Sequence, residues 1–212
     1  MYRRHLDHSR VKNLFKFVSP KTNTVFTVES SLEFDTCFHL EYSPSVKFYE
    51  AQPEGFYYEF AGRRCPYTPD FRVVDQRGSV SFLEVKPSGK VTDPDFLQRF
   101  PLKQQRAIEL FSPLKLVTEK QIRVDPILGN LKLLHRYSGF QSFTPLHMQL
   151  LGLVQKFGCV SLSQLSGSTD APPEDVLASA LSLIARGFIY CDLTVQKIGI
   201  SSFVWTNGHT SN

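Results

Sequence analysis

Two short apolar segments with acidic residues at their ends constrain this sequence more than any other feature. The stretch YTPDFRVVDQRGSVSFLEVKPSG predicts strands over residues 71–74 and 79–85, with a polar turn between them. Asp70 stands just before the first strand, and Glu84 and Lys86 stand at the end of the second. Because like charges brought together cost free energy, the two acids predict that a cation binds between them.

The spacing of these residues predicts metal-assisted chemistry. Glu84 and Lys86 are two residues apart on a strand, so both side chains point to one face, which Asp70 approaches from the neighbouring strand. Two converging carboxylates suit Mg²⁺, for which we expect Mn²⁺ to substitute, and the carbonyl of Val85 is a further candidate ligand. Lys86 is placed to orient or deprotonate a water, or to stabilise charge on a phosphate. This set favours phosphodiester hydrolysis.

Each of these motifs also has a structural interpretation. Pro-Asp before a strand is common in turns, and Glu-x-Lys on a strand is common as a surface ion pair. Glu33 fits position N3 of a capping box that begins at Ser30, in a helix predicted through residue 42. An acid in the first turn of that helix, ahead of the sheet, is also where a third metal ligand would come from. Both interpretations of Glu33 stay open.

The order of predicted elements describes an α/β domain followed by a smaller one. Over residues 25–140, a helix precedes strands at VKFYEAQ and FYYEFAG, then the pair around Asp70 and Glu84 and a helix from residue 93 to 111. A strand at LKLVTEKQI and a closing helix at ILGNLKLLHRYSG complete this domain. Over residues 145–206, three helices and two strands predict a winged-helix-like α+β module.

Positive charge is concentrated near the N-terminus. Residues 1–21 contain six basic residues and one acid, and residues 22–140 contain fifteen of each sign. A basic arm over residues 1–24 therefore predicts contacts with DNA phosphates, although a solvated terminus would have the same composition. The candidate contacts are Arg3, Arg4, Arg10 and Lys12.

The C-terminal module has the opposite balance. Residues 141–212 contain three basic residues and four acids, and the second long helix begins with the acidic sequence PPEDV. Neutralising several phosphates requires several cations, so we expect this module to bind a protein rather than DNA. A plain stabilising cap on the first domain is the alternative.

Composition excludes several other classes of protein. None of the apolar runs in the 212 residues reaches the roughly 20 that a membrane span needs, so we expect no membrane partner. The sequence MYRRHLDHSRVKNLFKF lacks the apolar region of a signal peptide. The four cysteines show no C-x-x-C spacing, which predicts reduced thiols, no structural zinc and a cytoplasmic protein.

The order P-D…E-x-K, on a helix followed by strands, resembles the restriction-endonuclease-like nucleases. Within them, VESSLEFDTCFHLEYSPSVKFYEAQPEGFYYEF, YTPDF and FLEVKP are similar to TnsA, the endonuclease family of heteromeric transposases, over roughly residues 25–120. The resemblance implies an α/β fold with a restriction-endonuclease-like mixed sheet flanked by helices. It also implies that the catalytic residues are Glu33, Asp70, Glu84 and Lys86.

The resemblance further implies an activity and partners. TnsA-like proteins use Mg²⁺ to cut the 5′ ends of the transposon, on the non-transferred strand, while a TnsB-like transposase cuts and joins the 3′ ends. A TnsC-like AAA+ ATPase regulator licenses the reaction. We therefore expect double-stranded DNA of transposon ends and both proteins as partners, in a bacterial cytoplasm and at the nucleoid during transposition. The alternatives are a stand-alone restriction or repair nuclease of the same superfamily, and a catalytically inactive DNA-binding adaptor.

Overall fold

The computed structural model describes residues 13–139 and 142–207, which divide into two units on either side of the bond between Val124 and Asp125. All four cysteines are free thiols. Among the described helices, none is both long and apolar enough to cross a membrane. The candidate DNA contacts Arg3, Arg4, Arg10 and Lys12 lie outside the described residues.

The first unit is built on a four-stranded mixed sheet. Its elements in chain order are β1 (Phe15–Ser19), β2 (Thr24–Val28), α1 (Ser31–Tyr42), β3 (Val46–Ala51), β4 (Phe56–Phe60), β5 (Arg63–Tyr67), β6 (Phe71–Asp75), β7 (Val80–Val85), α2 (Ser88–Val91), α3 (Pro94–Glu109), β8 (Leu114–Val117) and α4 (Glu119–Ile122). The strand order of the main sheet is β3-β6-β7-β8, in which only β7 and β8 run parallel. The predicted α/β class is confirmed.

The hairpin of β6 and β7 forms where the sequence predicts it. Asp75 closes the turn, since its Oδ1 accepts hydrogen bonds from the backbone N–H groups of Arg77 and Ser79, both at 2.8 Å. Gly78 adopts a φ of 85°, a conformation that costs glycine little. The register pairs Phe71 with Leu83 and thereby aligns the ends of the two strands.

Helix α1 begins as its capping pattern predicts. The Ser30 hydroxyl accepts a hydrogen bond from the backbone N–H of Glu33 at 3.1 Å, which satisfies one of the unpaired donors of the first turn. The helix packs on β1, with the rings of Phe17 and Phe38 edge to face at 5.0 Å between centroids. This aromatic contact holds α1 in place beside the sheet.

The strands β3 and β4, which are consecutive in the chain, do not pair with each other. β3 joins the main sheet beside β6, whereas β4 forms a separate hairpin with β5, a strand that the sequence analysis did not predict. The chain leaves the sheet at Gln52, which has a φ of 49° and donates its backbone N–H to the carbonyl of Asp70. At Gly55 any side chain would collide with the carbonyl oxygen of Tyr67, only 2.3 Å from an added Cβ atom.

The described end of the predicted basic arm is instead a folded hairpin. β1 begins at Phe15 and pairs with β2. The ammonium of Lys21 donates hydrogen bonds to the carbonyls of Leu40 and Ser43, at 2.8 and 2.9 Å, at the C-terminal end of α1. The charge of Lys21 therefore stabilises a helix terminus, where cations are favoured, and does not extend into solvent.

The second unit combines four helices with a small antiparallel sheet. Its elements are α5 (Ile127–Arg136), α6 (Pro145–Phe157), β9 (Cys159–Ser161), α7 (Leu162–Gly167), α8 (Pro173–Ala185), β10 (Tyr190–Cys191) and β11 (Phe203–Trp205). The strand order is β10-β11-β9.

Helix α5, predicted to close the first domain, lies in the second unit. The side-chain amide of the buried Asn130 donates to the carbonyls of Leu193 and Gln196 and accepts from the backbone N–H of Ile198. The unit boundary therefore falls at residue 124 instead of the sequence-based residue 140.

We expect Lys21→Ala to lower the free energy of unfolding by roughly 1–3 kcal/mol, because it leaves helix-terminal carbonyls without their donor. Lys16 on β1 is exposed and offers a matched control, for which Lys16→Ala should cost less than about 0.5 kcal/mol. Urea denaturation measures both values. Equal stabilities of the two variants would show that Lys21 is only a surface charge.

Candidate functional site

The five residues singled out as catalytic or metal-binding line one pocket of the first unit. This cavity has a volume of about 520 Å³ and opens beside the ends of β6 and β7. The residues that it brings together are Glu33, Asp70, Glu84, Val85 and Lys86. Glu84 and Val85 lie on β7, Asp70 and Lys86 directly flank β6 and β7, and Glu33 lies in the first turn of α1.

Asp70 is held in place by both its backbone and its side chain. Its N–H donates to the carbonyl of Leu83 at 3.0 Å, and its Oδ2 accepts from the N–H of Val85 at 2.7 Å. Burial, followed by the negative charges of Glu84 and Glu33, raises the pKa of Asp70 well above its ordinary range. The neutral form of Asp70 is therefore favoured in this pocket.

Glu84 is buried, with 7% of its surface exposed, and its carboxylate is fixed by two neighbours. The hydroxyl of Tyr67 donates a hydrogen bond of 2.5 Å to Oε2, and the ammonium of Lys86 lies 3.7 Å from Oε1. Burial and the charge of Glu84 raise the pKa of Tyr67, so the phenol remains a hydrogen-bond donor. Glu84 thus keeps one orientation.

Lys86 lies at the rim of the pocket. Its backbone N–H donates to the carbonyl of Val117 on the adjacent strand β8. Its ammonium lies 5.2 Å from the centroid of the Phe96 ring, and 36% of the side chain is exposed. An ammonium in this position reaches both Glu84 and a ligand that enters the pocket.

The Glu33 carboxylate bonds to the start of α1, although not to the backbone N–H of Ser30 that a full capping box would use. Its Oε1 accepts from the Ser30 hydroxyl at 2.8 Å, and its Oε2 accepts from the N–H of Glu29 at 3.1 Å. Its charge nevertheless acts on Asp70 across the pocket. Within residues 13–139 and 142–207, no three histidine, cysteine or acidic side chains are arranged so that together they could hold a metal ion.

Three residues at this site were not singled out from the sequence. Tyr67 fixes Glu84, and Gln52 donates from Nε2 to Glu33 at 3.5 Å while its backbone supports Asp70. The third residue is Lys103 on α3. Burial lowers the pKa of its ammonium, while the negative charges of Glu84 and Asp70 act in the opposite direction.

Only Lys103 carried a signal in the sequence. It falls on the same helical face as Phe96, Phe100 and Ala107, which are buried, so it is a lysine on an apolar face. The roles of Tyr67 and Gln52 depend on pairing between distant segments.

Comparisons with protein families and with curated proteins do not assign a function to this pocket. The sequence matches no protein-family model. It also matches no curated protein. A functional proposal therefore rests on the sequence motifs, the pocket and the fold.

We expect Asp70→Asn to stabilise the fold at pH 8 in buffer with a chelator. The pKa of Asp70 is higher in the folded than in the unfolded chain, so its stabilising contribution is complete at low pH and is lost as the pH rises through the folded pKa. Asparagine keeps an oxygen for the N–H of Val85 and carries no charge. Its melting temperature should exceed that of the wild type at pH 8, and the gap should close towards pH 4.

Glu59, an exposed acid on β4, provides the control for this experiment. The melting temperature of Glu59→Gln should follow that of the wild type across the same pH range. An Asp70→Asn variant that melts at or below the wild-type temperature at pH 8 would contradict the crowding of charge in the pocket.

Proposed function

We propose that this protein is a Mg²⁺-dependent DNA endonuclease, and specifically a TnsA-like transposase subunit that cuts the non-transferred strand at transposon ends. The observation that carries the proposal is the meeting of Asp70, Glu84, Val85 and Lys86 at one pocket. Two acids, a backbone carbonyl and a lysine on adjacent strand ends are the groups that metal-assisted phosphodiester hydrolysis requires.

The order of elements supports a restriction-endonuclease-like fold. A helix, three antiparallel strands, a helix and a parallel strand follow each other as α1, β3, β6, β7, α3 and β8. The hairpin of β4 and β5 is an insertion between the first two strands of this series. The candidate acids lie at the middle strands of the sheet, where neighbouring strands hold the backbone on both sides.

The side chains of the pocket fit a hard divalent cation. Asp70 and Glu84 each give one oxygen to a protein donor, and the second oxygen of each accepts no hydrogen bond from the described residues. Asp70 and Glu84 would hold Mg²⁺ together with the carbonyl of Val85. Glu33 would join them from α1 by turning its carboxylate away from Ser30 and Glu29. When bound, the ion supplies polarisation of the phosphate and a lower pKa for the attacking water.

The chain's own residues supply orientation and charge. Tyr67 keeps Glu84 in one orientation through its hydrogen bond, and the Val85 N–H does the same for Asp70. Lys86 places a positive charge at the rim, where it can hold a phosphate oxygen or a water by a charge-assisted hydrogen bond. Fixed groups of this kind need little rearrangement as charge develops on the phosphate.

The second unit supports a role in protein docking. The order α6, β9, α7, α8, β10 and β11, with β11 between β10 and β9 in the sheet, supports a winged-helix-like topology. The helix that would enter a DNA groove, α8, has Glu174 and Asp175 in its first turn. Because acids at that position repel phosphates, we propose that this unit binds a TnsB-like transposase or a TnsC-like ATPase regulator.

Metal binding tests the acidic pocket directly. We expect calorimetry to detect Mn²⁺ binding by the wild type and its loss in Asp70→Ala. Glu33→Gln separates the two interpretations of Glu33, because glutamine also caps a helix at N3. We expect this variant to melt like the wild type and to bind Mn²⁺ more weakly. Equal Mn²⁺ affinity in Asp70→Ala and the wild type would rule out the site.

Lys86→Ala tests the chemical step. We expect it to lose strand cutting of transposon-end DNA, assayed with Mg²⁺ and the two partner proteins, while its stability changes by less than about 0.5 kcal/mol. Lys90→Ala is the matched control, because Lys90 is an exposed lysine four residues further on. Cutting by Lys86→Ala at the rate of Lys90→Ala would exclude the proposed role. Cutting by the wild type without partners would favour a stand-alone nuclease.

A further inference from the structure

Lys103 is a partly buried cation that the site chemistry described above does not use. Its ammonium lies 4.2 Å from the ring centroid of Tyr67 and 5.9 Å from that of Tyr58. No acceptor or acid among the described residues forms a hydrogen bond or an ion pair with this ammonium. A partly desolvated ammonium that no protein acceptor among the described residues binds keeps its N–H donors available for a ligand.

Arg99 lies one helical turn earlier on the same face of α3. Its guanidinium stacks 4.3 Å from the centroid of the Phe60 ring and points an N–H towards the hydroxyl of Tyr58 at 3.5 Å. Its Nε donates to the exposed Asp95 at 2.6 Å. Tyr58 therefore contacts both Arg99 and Lys103, which are four residues apart on α3.

These two cations lie near Lys86, the cation at the rim of the acidic pocket. A chain of contacts connects the three cations: Lys86 pairs with Glu84, which bonds to Tyr67. Lys103 lies over the Tyr67 ring, and Tyr58 lies near both Lys103 and Arg99. Lys86, Lys103 and Arg99 thus follow one another in a row that leads away from the pocket. Positive charges in a row repel one another, so such a row favours an anion that runs along it.

We propose that Lys86, Lys103 and Arg99 form a phosphate track, in which Lys103 binds the phosphate next to the one that is cut. The ligand is the sugar-phosphate backbone of the DNA strand, so this inference rests on the proposed function and deepens it. Tyr58 and Tyr67 are only 5% and 8% exposed, so they position the cations and offer no surface for stacked bases. The phosphate track should therefore bind DNA through its phosphate charge, without preference for a base sequence.

The test measures DNA binding separately from cutting. Fluorescence anisotropy of the full chain with two unrelated labelled duplexes, in buffer with a chelator, gives affinity as a function of NaCl concentration. We expect Lys103→Ala to weaken binding to both duplexes equally and to reduce the slope of log K against log salt by about 0.9. Lys103→Arg should restore the slope. Arg106→Ala is the control, because Arg106 lies on the same helix and pairs with Glu109.

A second measurement needs no variant. Lysine acetylation of the wild type, followed by mass spectrometry, should show that DNA protects Lys103 and leaves Lys115, an exposed residue of β8, fully reactive. Equal protection of Lys103 and Lys115 would overturn the phosphate track. A wild type that shows no salt-dependent DNA binding would overturn it as well.

The two proposals fail in different ways. If Lys103→Ala keeps the wild-type salt slope while the wild type cuts DNA, the phosphate track is refuted and the endonuclease stands. If Lys103→Ala shows the expected loss but no DNA is cut with Mg²⁺ and partners, the track stands and the endonuclease is refuted.

Discussion

The pairing of β6 with β7 is the constraint on which the candidate site depends. The backbone of Asp70 is bonded to Leu83, and its side chain is bonded to the N–H of Val85, so the two strand ends cannot separate without breaking both contacts. Because side chains alternate along a strand, a slip of one residue would turn Glu84 to the opposite face of the sheet. The turn at Asp75 and Gly78 fixes this register from the other end of the hairpin. A local turn thus helps to set the distance between the two candidate acids Asp70 and Glu84.

The same pairing stores unfavourable charge. Asp70 and Glu84 are brought together in a half-buried pocket, and Lys86 is the nearest cation on the same strand. Tyr67 relieves Glu84 with a hydrogen bond but adds no charge. Burial, with the charges of Glu84 and Glu33, disfavours the ionised form of Asp70. Under the proposed function, a bound cation would offset this cost, so the same electrostatic term that lowers the stability of the fold would favour metal binding.

The sequence predicted those parts of the fold that local chemistry decides. The capping serine of α1, the turn after Asp75 and the strands around Asp70 are set by neighbouring residues, and each lies where it was expected. The parts that were not predicted depend on contacts between distant segments. Strand β5 contains Pro66 and lacks a clean alternation, so only its pairing with β4 identifies it.

Helix α5 shows why a domain boundary is hard to place from sequence. An apolar helix face does not reveal which unit covers it, whereas the structure shows three hydrogen bonds from Asn130 to a loop more than sixty residues away. Tyr67 likewise reaches Glu84 only because the hairpin of β4 and β5 returns beside β6. Side chains that act across such distances carry no periodic signal.

The net charge of a segment is likewise a poor guide to where its charges lie in the folded protein. Residues 22–140 carry equal numbers of acids and bases, a balance that suggests no preference for nucleic acid. The structure shows that these charges are not evenly mixed. The cations Lys103 and Arg99 lie together on aromatic rings beside α3. The acids Asp75 and Glu119 lie elsewhere, where they accept backbone hydrogen bonds. Near the N-terminus, the ammonium of Lys21 is hydrogen-bonded to carbonyls at the C-terminal end of α1. Screening in physiological salt acts over about 8 Å, so a ligand at the pocket responds to the cations next to it and not to the sum over the domain.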